Sequence, residues 1–168
     1  MKPYSLANRH TIRNGRANVY ISDIETTEKF RELREHKIMK FLQPPSWKKP
    51  KGYANGVVAS GRTVFVSGMI GWDANASLVS RDFVGQARQA LRNVVEVLSE
   101  AGAKPEHIVR MNWYVVDKKE YVGAYKQLGV IYREIIGLHY PAMTAVQVSS
   151  LIEDAARVEI EVTAVIPG

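Results

Sequence analysis

The chain contains no cysteine, which rules out disulfides, thiolate metal sites and thiol nucleophiles. A reducing compartment is permitted by this but not required. No apolar run approaches the ~20 residues that a membrane-spanning helix needs. The first residues, Met1-Lys2-Pro3-Tyr4-Ser5, lack the apolar core of a secretory signal, so a cytoplasmic protein with no membrane partner is the expectation. The four histidines, His10, His36, His107 and His139, stand far apart with no ligand spacing, so no metal site is expected. Gly-x-Ser-x-Gly, P-loop and dinucleotide-binding patterns are missing too, and no cofactor is expected. Neither an internal repeat nor a low-complexity segment interrupts the chain.

What is present is an ordinary globular composition, with 46% hydrophobic and 24% charged residues over 168 positions, enough for one compact core. The charge is uneven. Residues 1–50 hold 11 Lys and Arg against 5 Asp and Glu, whereas residues 51–168 hold 12 of each. The whole net charge of +6 therefore sits in the first third. Such a basic segment either solubilises an extension or meets an anionic partner.

Within that third, Val19-Tyr20-Ile21 could add an edge strand. Ser22 and Glu25 fit a capping box, opening a helix predicted over about 23–43. Ile24, Phe30, Leu33, Ile38, Phe41 and Leu42 form its apolar stripe, and Pro44-Pro45 ends it. Pro44 to Gly52 reads as a linker, with Trp47 tucked against the body. These residues, 1–51, are set apart as a basic N-terminal extension to a domain spanning 52–168.

The body opens with Val57–Ser60 and Thr63–Gly68 around Gly61-Arg62, read as a hairpin. Gly68 and Gly71 flank Met69-Ile70, marking close backbone approach, and Trp72 to Val79 is a polar loop. An amphipathic helix spans Asp82–Ala101 with Phe83, Ala87, Ala90, Leu91, Val94, Val97 and Leu98 on one face, closed at Gly102. A strand follows over Ile108–Asp117; its Trp113-Tyr114 either packs in the core or stacks a ring. A second helix is predicted over Lys119–Ile136, with Tyr121, Ala124, Tyr125, Leu128, Ile131, Tyr132 and Ile135 inward. Two alternating strands end the chain, Ala142–Val148 and Val158–Ile166, the second placing Glu159 and Glu161 on one face. Each carboxylate is either a solvated outer-face residue or a placed chemical group. The layout is ββαβαββ, an α+β fold with two helices on one face of a mixed sheet.

Four stretches, in order and spacing, resemble the RidA/YjgF/YER057c family. They are Lys51-Gly52-Tyr53-Ala54-Asn55-Gly56-Val57, Val66-Ser67-Gly68-Met69-Ile70-Gly71, Gln86–Val94 with Ala101-Gly102, and Pro141-Ala142-Met143 with Val158–Val165. The likeness covers roughly residues 52–166 and implies a chorismate-mutase-like fold, a barrel-like homotrimer and a small-molecule ligand in pockets between subunits. It also implies hydrolysis of reactive enamines or imines, or of 2-aminomuconate-like compounds, with release of ammonia. On this resemblance Glu159 handles the water, and Tyr53, Ser67, Gly68, Met69, Trp72, Met143 and Ala145 contact the substrate.

One departure is mechanistic. Met143 stands where the family carries an arginine that grips the substrate carboxylate, and a thioether has neither charge nor donor. Three explanations follow: Arg62, Arg110 or Lys51 replaces that cation; the substrate is more apolar, suiting Met143 with Trp72 or Trp113; or the protein is a non-catalytic ligand-binding or sensor trimer. The family's endoribonuclease label and the basic first third leave RNA as a further alternative. The neutral body and missing RNA-binding motif place it last, so nucleic acid is not an expected partner.

Overall fold

In the computed structural model, the described residues are 39–168, all within the unit Lys37–Gly168. The expected edge strand near residue 20 and the expected helix up to residue 38 lie outside them. The organising element is the last strand, β6 (Val158–Ile166). Its alternate residues Val158, Ile160, Val162 and Ala164 are buried, as a period of two requires of a sheet with one covered face. β6 lies between β3 (Arg62–Met69) and β4 (Ile108–Val115), antiparallel to both, and β5 (Ala142–Gln147) adds to β4 in parallel, giving the order β3-β6-β4-β5. A parallel pair needs a long crossover. α2 (Lys118–Gly123) and α3 (Tyr125–Ile135) supply it.

α1 (Phe83–Glu100) packs against β3, β6 and α3. Asp82 caps it, its carboxylate accepting from the Gly85 N–H at 2.8 Å, and Gly102 with φ +70° ends it as predicted. Ala87, Ala90, Leu91, Val94 and Leu98 are fully buried, whereas Val97 lies at the exposed margin. The one polar residue in this interior, Gln86, is fully satisfied: it donates to the carbonyls of Ser80 and Ala155, both at 3.0 Å, and accepts from the Arg157 N–H at 2.7 Å. Gln86 thereby ties the loop before β6 to α1. Gly71 runs so close that a Cβ there would stand 2.7 Å from Gln86 Cα.

Four expectations are corrected. Val57–Ser60 does not form a hairpin with Thr63–Gly68. Instead β2 (Gly56–Val58) pairs with β1 (Lys40–Leu42) in a separate two-stranded ribbon. β3 gives its ladder to β6, and the close approach marked by Gly61 is to the Ile166 carbonyl of β6. The helix predicted to reach Gln43 is strand at Lys40–Leu42, where the following Pro44 disfavours helical backbone. Trp47 is 61% exposed rather than tucked in. The second helix is broken at Ala124 into α2 and α3, which turns Tyr125 outward to 57% exposure. Among the described residues no helix is long and apolar enough to cross a membrane.

Candidate functional site

The sheet has a helix-covered face and an open face, and the candidate site residues divide between them. Register decides which goes where. Asn112 and Tyr114 of β4 lie opposite Glu161 and Glu159 of β6, and all four occupy the open face. Met143 and Ala145 of β5 lie opposite Met111 and Trp113, two members of the buried core, so they belong to the helix side.

On the open face a cavity of about 390 Å³ is lined by Phe65, Ser67, Arg110, Asn112, Glu161 and Thr163 among others. Glu161 is its best-defined group. One carboxylate oxygen accepts from Asn112 Nδ2 at 2.5 Å and from the Tyr114 hydroxyl at 3.0 Å, and Arg110 Nε reaches Asn112 Oδ1 at 3.4 Å. The Asn112 hydrogen bond, then that of Tyr114, holds the Glu161 carboxyl below the usual carboxylate range, with the Arg110 charge assisting. Reciprocally, donating to Glu161 pushes the Tyr114 phenol upward. A carboxylate fixed as an anion by two donors is a poor proton acceptor. Glu161 is thus a weaker base than an ordinary carboxylate.

Glu159, two residues earlier on the same face, lies against Gly68. Its side chain occupies the space that a Cβ at Gly68 would fill. The β3–β6 register slips between Val66 and Met69, at the Ser67-Gly68 step of β3. Of the sequence-predicted residues, Gly68 and Glu159 are thus brought together, while Ser67 lines the cavity with Glu161. Met69 pairs with Ile160 and packs on the core.

On the helix side, at the β5 edge, a second cavity of about 560 Å³ is lined by Lys51, Gly52, Tyr53, Tyr121, Tyr125, Met143 and Ala145. Tyr53, Met143 and Ala145 are thus also brought together, away from Glu159. Trp72 joins neither lining. Its backbone carbonyl accepts from Asn93 at 2.8 Å, and it bridges to Leu78 across the loop. His139 lines a third cavity with Phe41, Leu42 and Leu138 and donates from Nε2 to the Ile108 carbonyl at 2.6 Å.

Of the three cations considered in place of the arginine, Arg62 donates to the Ala101 carbonyl at 2.8 Å and Arg110 lines the open-face cavity. Lys51 lines the Met143 cavity. Sequence reasoning left Glu161 open as a solvated or a placed carboxylate and did not find the Asn112–Tyr114 pair that holds it. The available signal was the shared face of Glu159 and Glu161; the partners needed the strand register.

The fold is of the α+β class, with helices on one face of a mixed sheet, and relatives share it. Residues 45–166 match the family model Endoribonuclease L-PSP. A 2-iminobutanoate/2-iminopropanoate deaminase of Homo sapiens is 32% identical over 114 residues, 67% of this chain and 79% of that protein. A RutC family protein of Aquifex aeolicus is 34% identical over 130 residues, 76% of this chain and 99% of its own. Among solved structures, a protein of the conserved Rid family from Yersinia pestis is similar with a TM-score of 0.67 at 32% identity, over 76% of this chain and 98% of that one. The chain belongs to the RidA/YjgF/YER057c family.

Proposed function

We propose that this protein is a deaminase-type hydrolase of reactive enamines or imines, working in sites completed between the subunits of a homotrimer. One observation carries the reading. Ser67, Gly68 and Glu159 lie on the open face, while Tyr53, Met143 and Ala145 lie on the helix side, so one chain holds two half-sites. Packing one copy's open face against another copy's β5 edge would join them. Relatives named 2-iminobutanoate/2-iminopropanoate deaminase support the reaction class. In this reading residues 1–51 are an extension appended to the catalytic domain.

The chemistry needs a carboxylate beside the substrate-contacting backbone, and Glu159 lies against Gly68. Glu159 takes a proton from water as the oxygen adds to the C=N carbon. The proton passes to nitrogen, and the carbinolamine collapses to a ketone and ammonia, so one imine and one water give one ketone and one ammonia. Ser67 and the Gly68 backbone flank the reacting group.

A second reading, a non-catalytic ligand-binding trimer, is favoured by Met143 itself. A charge-assisted contact to a carboxylate is worth about 1.5–3 kcal/mol, and a thioether forgoes it. The deciding experiment is ammonia release from freshly generated 2-iminopropionate and from 2-aminomuconate by wild type, Met143→Arg and Glu159→Ala. Wild-type turnover lost in Glu159→Ala supports the hydrolase. Activity gained only on Met143→Arg identifies an intact scaffold retuned for another ligand, and silence from all three favours the binding role.

A further inference from the structure

We infer that the Met143 pocket selects an aromatic carboxylate, with Lys51 receiving the carboxylate and Tyr53, Tyr121, Tyr125 and Met143 holding the ring. This rests on the preceding reading only in placing the ligand there; it stands whether or not the ligand is hydrolysed.

The walls argue for a flat apolar body. Tyr121 meets Tyr125 edge-on, with ring centroids 5.3 Å apart and planes at 82°. Behind it Tyr121 also meets Trp113 and Phe83 at 6.1 and 6.2 Å. Burial, then the neighbouring Tyr125, pushes the Tyr121 phenol upward, so this wall stays neutral throughout the physiological range. Aromatic edges and a thioether both favour a π-system over an aliphatic chain. The cavity of about 560 Å³ falls within the range of pockets for drug-sized ligands, roughly 300–1,000 Å³, and leaves ample room around a three- or four-carbon imino acid.

The head group follows from charge. Lys51 is the one Lys or Arg among the described residues lining this pocket, and its ammonium offers three rotatable donors to an anion.

The test is isothermal titration of the full chain with phenylpyruvate, pyruvate and phenylacetone, which separate ring from carboxylate. Phenylpyruvate should bind about tenfold or more tightly than pyruvate, from the buried ring. Lys51→Ala should weaken phenylpyruvate about fivefold, the most that an exposed ion pair supplies. The same change should leave phenylacetone unaffected, and Lys51→Arg should restore phenylpyruvate binding. Tyr125→Ala, at an exposed ring, should weaken both aromatic probes equally. Equal binding of pyruvate and phenylpyruvate, or indifference of phenylpyruvate to Lys51→Ala, overturns the inference. Such results leave the hydrolase reading intact if 2-iminopropionate is still turned over. Tight phenylpyruvate binding without turnover of any imine supports the pocket and rejects the hydrolase.

Discussion

The two proposed half-sites are built by different physics. On the open face Glu161 is held by Asn112 and Tyr114, and Glu159 fills a space that only glycine at 68 leaves free. Groups that satisfy one another's hydrogen bonds in close contact tolerate little change, because each substitution strands a partner or causes a clash. At the β5 edge the walls are phenols, a thioether and one flexible ammonium. Among the described residues, Lys51 is the one charged group in that lining.

The largest effect that would sharpen this contrast is loss of the proposed base. In steady-state assays Glu159→Ala should lower kcat for imine hydrolysis by about a hundredfold or more while leaving phenylpyruvate affinity unchanged. A fall in both would erase the distinction between the halves. Next is Gly68→Ala, whose added methyl must displace the Glu159 side chain. We expect kcat to drop about tenfold, with little change in thermal midpoint because the displaced group is a side-chain end. Asn112→Ala comes third. Removing a buried donor from Glu161 should cost about 1–2 kcal/mol, read by denaturant titration.

The smallest effect is on pH dependence. The Glu161 carboxyl titrates below its ordinary 4.5 in the folded protein. The unfolded chain therefore takes up this proton first, and the group's contribution to stability is present above about pH 4.5 and lost as pH falls through the lower folded value. Glu161→Gln should flatten the acid limb of a stability-versus-pH curve. An unchanged limb would show that Asn112 and Tyr114 do not hold the anion.

Much of the fold was legible because it is local. The alternation of Val158–Ile166, the amphipathic stripe of Phe83–Glu100 and the stop at Gly102 each follow from a few neighbouring residues. Strand pairing was not. Nothing in Gly56-Val57-Val58 says that its partner is Lys40–Leu42 rather than the strand immediately after it. Placing β6 between β3 and β4 depends on burying its two neighbours' apolar faces under α1, a tertiary property. The resemblance named Ser67, Gly68 and Glu159, and Tyr53, Met143 and Ala145, as candidate site residues. Their division between two faces was not legible, because it depends on the β4–β5 register. Tyr125 was read as inward from helical spacing, and the break at Ala124 rotates it into the pocket wall.

The central claim is that the two half-sites meet across subunits, and complementation tests it directly. Glu159→Ala disables one half. Met143→Glu disables the other by setting a like charge against an anionic substrate. Each variant alone should be inactive on 2-iminopropionate. Co-refolded in equal amounts, the two should recover about a quarter of wild-type activity, since one interface in four pairs an intact half from each chain when copies mix at random. Recovery near that level is the expected result; a mixture of well-folded, exchanged subunits that stays inactive would contradict the account.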